Sequence, residues 1–302
     1  MTGSSASNEP AVPTGEGGLV RLRLEVSYDG TDFSGWARQP GRRTVQGELE
    51  EALAKQPPGA AVPRSVVVAG RTDAGVHAAR QVVHVDVEPY EGQPTSRRLT
   101  VDERGLPDLD RMRHRWNRIL PPDVRVLDTR VAPDGFDARF SAVRRHYRYQ
   151  VSDAPWGVDP LRRRDTLAHP RPLDVDALQQ ASQDLLGLQD FAAYCKHREG
   201  ATTIRELQRF TWRRVGEYEV HAEVSADAFC HSMVRSLVGA LLMVGDGRRD
   251  VEWPHRVLDS QVRESAVAPA HGLTLVAIDY PPDAHLATRA TQTRALRDTP
   301  RA

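Results

Sequence analysis

Lysine is nearly missing from this chain: among 302 residues, Lys55 and Lys196 are the only two. Cysteine is as scarce. Cys195 and Cys230 stand alone, too few for a disulfide framework in a chain this size, which points to a reducing compartment. No excess of either charge exists, with 41 basic and 41 acidic residues, so no global field draws the chain onto nucleic acid. A long apolar run is missing too. The best stretch, Met233 to Val244, is shorter than the ~20 residues a membrane-spanning helix needs and contains Arg235. The N-terminus MTGSSASNEPAVPTGEGG lacks a basic start and an apolar core, so neither a signal peptide nor an anchor is expected, and a cytoplasmic location is.

With 39% hydrophobic and 27% charged residues, the composition is that of a globular chain able to bury a core. Its length favours two halves. Basic residues are bunched, at Arg111, Arg113, Arg115 and Arg118, at Arg144, Arg145 and Arg148, and at Arg162 to Arg164. A neutral chain can therefore still carry a basic cleft. Residues 1–18 and 282–302 are small, polar and proline-rich and read as tails.

Between the tails, period-2 alternation at Leu22, Leu24, Val26 and Tyr28 predicts a strand with one buried face. Thr44 caps a helix that buries Val45, Leu49, Ala52 and Leu53 and is closed by Pro57 and Pro58. RSVVVAG and QVVHVDVE then flank the loop holding RTDAG. Residues 91–109 form a polar, exposed insertion. A helix follows over Leu109 to Ile119, then strands DVRVLDTRVA and RRHYRYQVS. The second half repeats the pattern: a helix from Asp174 to Gly187, strands near Ile204 to Val215 and Tyr218 to Val224, a helix from Phe229 to Val244, and the strand LTLVAIDY. The order predicts an α/β protein of the α+β type, with a half over 19–138 and a related half over 139–281. Their antiparallel sheets are covered by helices on one face, with a cleft between the halves.

Asp73 lies in a short turn between strands, with Gly70 before and Gly75 after it, where backbone can approach a ligand. An Asp between glycines commonly forms no more than an Asx-turn. A phosphate loop is excluded, because Val76 and His77 replace the Lys and Ser or Thr that the G-x-x-x-x-G spacing requires. No metal is expected: Cys195-x-His197 and Cys230-His231 lack zinc spacing. Arg235 stands in a helix apolar on nearly every face, where a guanidinium needs a carboxylate or several acceptors, or must reach the surface. If Asp73 is that partner, the pair keeps the carboxylate ionised, as a nucleophile must be. Tyr147 and Tyr149 share one strand face with Val143 and Val151, while Arg144, His146 and Arg148 take the other. An aromatic beside basic residues suits stacking of an unpaired base, though cross-strand core packing is the commoner explanation. His77, His84 and His231 read as structural.

The strings EVSYDGTDFSGWARQ, VAGRTDAGVHAARQVVH, WNRILPPDVRV, ARFSAVRRHYRY, ADAFCHSMVRSLVGALLMVG and HGLTLVAIDYP, in this order, resemble the tRNA pseudouridine synthase A family across nearly the whole chain. The resemblance implies a pseudouridine synthase fold. It also implies isomerisation of uridine to pseudouridine at about positions 38 to 40 of the tRNA anticodon stem-loop, by a homodimer that needs no cofactor. Carried over, Asp73 is the nucleophile and Arg235 its ion-pair partner. Tyr147 stacks on the base and is a candidate general base, Arg71 and Thr72 shape the loop, and Leu275 lines the pocket. The chain departs from the family pattern at Ala37 and in the 91–109 insertion. Two rival readings are an RNA-binding protein or chaperone of the same fold without chemistry, and a hydrolase using Asp73 as a base, which would require a second acid or a metal.

Overall fold

Alternation along β1 (Val20–Tyr28) buries Val20, Leu22, Leu24, Val26 and Tyr28 on one face, as period-2 geometry dictates. A computed structural model describes residues 18–55, 65–88, 102, 105–106, 108–196, 202–264 and 266–294. The other strands are β2 (Val67–Val68), β3 (His77–Val87), β4 (Val124–Val131), β5 (Arg144–Ser152), β6 (Leu167–Ala168), β7 (Gly187–Asp190), β8 (Ile204–Arg214), β9 (Glu219–Ala226) and β10 (Leu273–Asp279). They form one sheet in the order β4-β1-β3-β10-β5-β9-β8-β7, with β2 on β3 and β6 on β5. The strands expected in two separate sheets thus share one continuous sheet. The joint is β10, which leaves the second half to run parallel to β3 (Leu275 opposite Ala78) and antiparallel to β5 (Leu275 opposite Tyr147).

The helices cover the apolar face. Thr44 caps α1 (Val45–Ala54), its hydroxyl accepting the Gly47 N–H, and the helix buries the four residues the sequence named. Asp108 caps α2 (Leu109–Ile119), which buries Met112 and Trp116 and leaves Arg111, Arg115 and Arg118 exposed. The helix α3 (Val175–Gln183) stops four residues short of the expected end, and Gly187, at φ +97°, turns the chain into β7. Next come α4 (Met233–Gly245), almost wholly buried, and α5 (Trp253–Ser260). Beyond Pro282, where composition predicted a tail, the chain folds into α6 (Leu286–Arg294), because Leu286 and Ala290, one turn apart, are buried on one face. Most of the 91–109 insertion, His197 and the N-terminal tail before Gly18 lie outside the described residues. No helix of the described residues is long and apolar enough to cross a membrane.

The opposite face of the sheet carries paired charge: Arg21 with Asp86 at 2.7 Å, Arg148 with Glu223 at 3.7 Å, and His146 with Asp279 at 2.8 Å. The basic row of β5 is therefore on the far side of the strand from Tyr147, with His146 and Arg148 held by acids and Arg144 donating to Gln208, so it does not flank the aromatic as a phosphate track.

The two cysteines pair. Cys195, after β7, is bonded to Cys230 before α4, with Cα atoms 5.6 Å apart and a sequence separation of 35. Two cysteines make no framework, yet they make one bond, and their scarcity no longer argues for a reducing compartment. Closing a loop of that length stabilises by roughly 4 kcal/mol. Reduction is expected to lower Tm by about 6 °C, whereas a Cys195→Ser, Cys230→Ser protein should melt alike with and without reductant.

His84 on β3 accepts the Ala138 N–H at Nδ1 (2.9 Å) and packs edge-on against Phe136. Burial, helped by the Arg21 charge, pushes its pKa down to about 4. The folded state therefore binds fewer protons than the unfolded state between pH 4 and the ordinary value of about 6.5, and stability is lost as pH falls through that window. Unfolding free energy should drop by roughly 2–3 kcal/mol from this group between pH 7 and 4. Denaturant titrations of His84→Gln should show a flatter pH dependence, and an equal slope would remove His84 as the cause.

Candidate active site

The loop between β2 and β3 is pinned by its backbone. The Thr72 carbonyl accepts the Trp36 N–H (3.1 Å), the Thr72 hydroxyl meets that of Tyr28 (2.8 Å), and the Val76 N–H closes a turn on the Asp73 carbonyl (3.2 Å). Gly75 sits at φ +79°, where a side chain would be strained. Gly70 has no positive φ, so one of the two flanking glycines is conformationally required. Gly30 lets the neighbouring loop lie against this one, for a Cβ there would come within 2.0 Å of the Val76 carbonyl oxygen. Thus Asp73 is held by a rigid turn, and its carboxylate faces the second half of the molecule instead of folding onto its own backbone.

A second loop, Ala228 to Ser232, meets it. Sequence periodicity began the helix at Phe229, but Asp227 holds the Glu206 and Ala228 N–H groups (3.0 and 2.7 Å) and Ser232 takes a left-handed conformation at φ 63°. The helix accordingly starts at Met233. Beneath both loops lies Arg145, 8% exposed, whose guanidinium donates to the carbonyls of Asp227, Ala69 and Arg139. It ties the residue that begins one loop to the residue preceding Gly70 in the other.

Three side chains from the second half converge on Asp73. Ser232 Oγ donates to Oδ2 at 3.0 Å, Arg235 Nη1 reaches Oδ2 at 3.5 Å, and His231 Nε2 lies 3.3 Å from Oδ1. The Arg235 partner inferred from its apolar helix is therefore Asp73, though the shorter bond, 2.7 Å, runs from its Nε to the Ala268 carbonyl. His231, which read as structural, belongs to this cluster.

The pocket around them is lined by Arg71, Thr72, Tyr147, Phe229, Cys230 and Leu273, among others. Tyr147 is 8% exposed and packs edge-on against Phe229, centroids 5.2 Å apart. Burial, with Tyr28 and Asp73 nearby, raises its pKa above the ordinary phenol value, so the hydroxyl keeps its proton at neutral pH. Leu275 is wholly buried in register with Tyr147, and the pocket-lining residue of β10 is Leu273, two positions earlier. Arg71 is exposed and Thr72 buried. Sequence reasoning missed His231, Ser232, Phe229, Leu273 and Arg145. The first three stand just before Met233, inside the string that the helix pattern absorbed. A larger hollow of about 550 Å³ lies elsewhere, lined by Arg23, Arg144, Asp279 and Tyr280 among others. Among the described residues no group of three or more His, Cys, Asp or Glu could hold a metal ion.

The family model for tRNA pseudouridine synthase matches residues 25–135 and 181–281. A tRNA pseudouridine synthase A of Frankia casuarinae is 55% identical over 288 residues, spanning 94% of this chain and 97% of the relative. The protein of the same name from Mycobacterium leprae is 55% identical over 93% of this chain and 96% of its own length, and that from Streptomyces griseus is 51% identical over 94% and 96%. One segment of the family match contains the Asp73 loop and the other the loop from Ala228 to Ser232, and on this evidence the chain belongs to the tRNA pseudouridine synthase family of isomerases.

Proposed function

We propose that this chain converts uridine to pseudouridine at about positions 38 to 40 of the tRNA anticodon stem-loop, with Asp73 as nucleophile. The observation that carries the reading is the Asp73 carboxylate, fixed on a rigid turn at the junction of the halves with Ser232 and Arg235 on one oxygen. The reaction breaks the bond from C1′ of the ribose to N1 of uracil and forms one from C1′ to C5. The proton on C5 leaves and N1 gains one, so atoms balance without a co-substrate. One carboxylate suffices for the covalent step. In this reading Arg235 holds the charge of Asp73, Arg71 at the mouth and Thr72 beneath it shape the loop, and Tyr147 supports the extruded base with its ring. Extrusion costs a few kcal/mol, and stacking recovers about 1 to 3 kcal/mol. In this reading the Tyr147 hydroxyl is also the candidate acceptor of the C5 proton, a role for which burial, by raising its pKa, requires that it first give up its own proton. Exposed Arg111, Arg115 and Arg118 on α2 suit phosphate contact. A cytoplasmic homodimer, with halves over 19–138 and 139–281 enclosing the cleft, completes the proposal.

The test is tritium release from tRNA carrying uridine labelled at C5, with no metal or nucleotide added. The native protein should release tritium. Asp73→Asn should release none while binding tRNA within about tenfold of native. Activity in Asp73→Asn would overturn the assignment, and binding without release by either protein would favour an RNA-binding module without chemistry. Arg235→Ala strands the carboxylate and should lower both turnover and stability, the latter by about 1–3 kcal/mol in chemical denaturation; native values for both would exclude the pairing role.

A further inference from the structure

Asp73 has two carboxylate oxygens, and the fold treats them differently. Oδ2 accepts the Ser232 hydroxyl at 3.0 Å and faces the Arg235 guanidinium at 3.5 Å. Oδ1 faces His231, whose side chain is 47% exposed and so borders the open pocket.

The backbone at Ser232 is the second observation. Ser232 is the N-cap of α4, a position where the chain is normally extended and a serine hydroxyl normally accepts an N–H of the first helical turn. Here φ is 63° and ψ 9°, and the hydroxyl makes no cap bond. Among the described residues one other non-glycine has positive φ, Gln261 at the C-cap of α5, where left-handed backbone is ordinary. Ser232 has no such excuse in helix geometry. It gives up the cap interaction that would stabilise its own helix and holds a conformation that L-residues avoid, while its hydroxyl points at a carboxylate 159 residues away in sequence. Strain of this kind persists where surrounding structure imposes it, and it clusters at functional sites. The surroundings impose it from both sides: Asp227 anchors the start of the loop, and the Cys195–Cys230 bond, with the Lys196 N–H on the His231 carbonyl (2.9 Å), anchors its end.

We propose that Ser232 is a positioning residue that immobilises Oδ2 of Asp73, so that Oδ1 is the oxygen presented to the substrate. This rests on Asp73 being the nucleophile. Arg235 supplies charge on the anchored side at longer range, and the Ser232 bond supplies direction. His231 occupies the reacting side and yields that space when the nucleotide enters. A carboxylate free to rotate about its terminal bond would offer either oxygen in a wide range of orientations, and nucleophilic attack loses rate steeply with misalignment.

Three variants test it in single-turnover and steady-state kinetics on tRNA. Ser232→Gly keeps the left-handed backbone without strain and removes the hydroxyl. It should lower kcat roughly 10- to 100-fold, the loss of one hydrogen bond to a charged group. KM and tRNA Kd should stay within about twofold, and Tm should not fall. Ser232→Asn tolerates the same backbone and carries an N–H donor, and it should restore kcat to within about fivefold of native. Native kcat in Ser232→Gly overturns the proposal, as does a loss of kcat that Asn leaves unrepaired. Asp73→Asn is run beside them: if it retains activity, the nucleophile assignment itself fails, whereas an inactive Asp73→Asn with a fully active Ser232→Gly removes Ser232 alone.

Discussion

Beneath the junction of the two halves, the Arg145 guanidinium donates to the carbonyls of Ala69, Arg139 and Asp227, a set of acceptors with no carboxylate in it. Burying such a cation is tolerated because its donors are directed at fixed backbone dipoles and a guanidinium stays charged in proteins, while burial lowers its pKa. The acceptors are the point. Ala69 leads into the turn that carries Asp73, and Asp227 leads into the loop that carries His231 and Ser232, so one rigid, planar fork sets the spacing of two segments over 150 residues apart in sequence. A lysine would supply a point charge in place of that fork. The rest of the site, from the 3.0 Å Ser232 bond to the 3.5 Å Arg235 contact, is geometry that this crosslink permits.

The sheet does the coarse alignment. By inserting between β3 and β5, β10 places Leu273 and Tyr147 beside the start of β3, where the Asp73 turn emerges. Period-2 alternation then separates functions by face: Tyr147 lies with the helices and the pocket, while Arg148 and His146 pair with acids on the other side. Neutral overall charge fits this arrangement, since most basic side chains of the sheet are matched locally.

Much of the architecture was legible from local rules. Thr44 at a cap, four apolar residues on one face of α1, and Leu109 to Ile119 as α2 are decided within a few residues by hydrogen bonding and periodicity, and the structure keeps them. Boundaries failed where a single residue overrode the pattern: Ser232 in a left-handed conformation delayed α4 by four residues, and a buried pair, Leu286 and Ala290, turned an expected tail into α6.

The sequence by itself determined the longer strands and helices, though not β6, β7, α5 or α6, that Asp73 stands on a tight turn, and that Arg235, confined to an apolar helix, requires an acceptor. It did so because burial of apolar surface and satisfaction of charge are local demands. Only the tertiary structure decided that the acceptor is shared between Asp73 and the Ala268 carbonyl, that Ser232 and His231 divide the two oxygens of Asp73, that Leu273 and not Leu275 borders the pocket, and that Cys195 meets Cys230. Those pairings join residues 33 to 162 positions apart, and nothing in local periodicity encodes a distance across a fold.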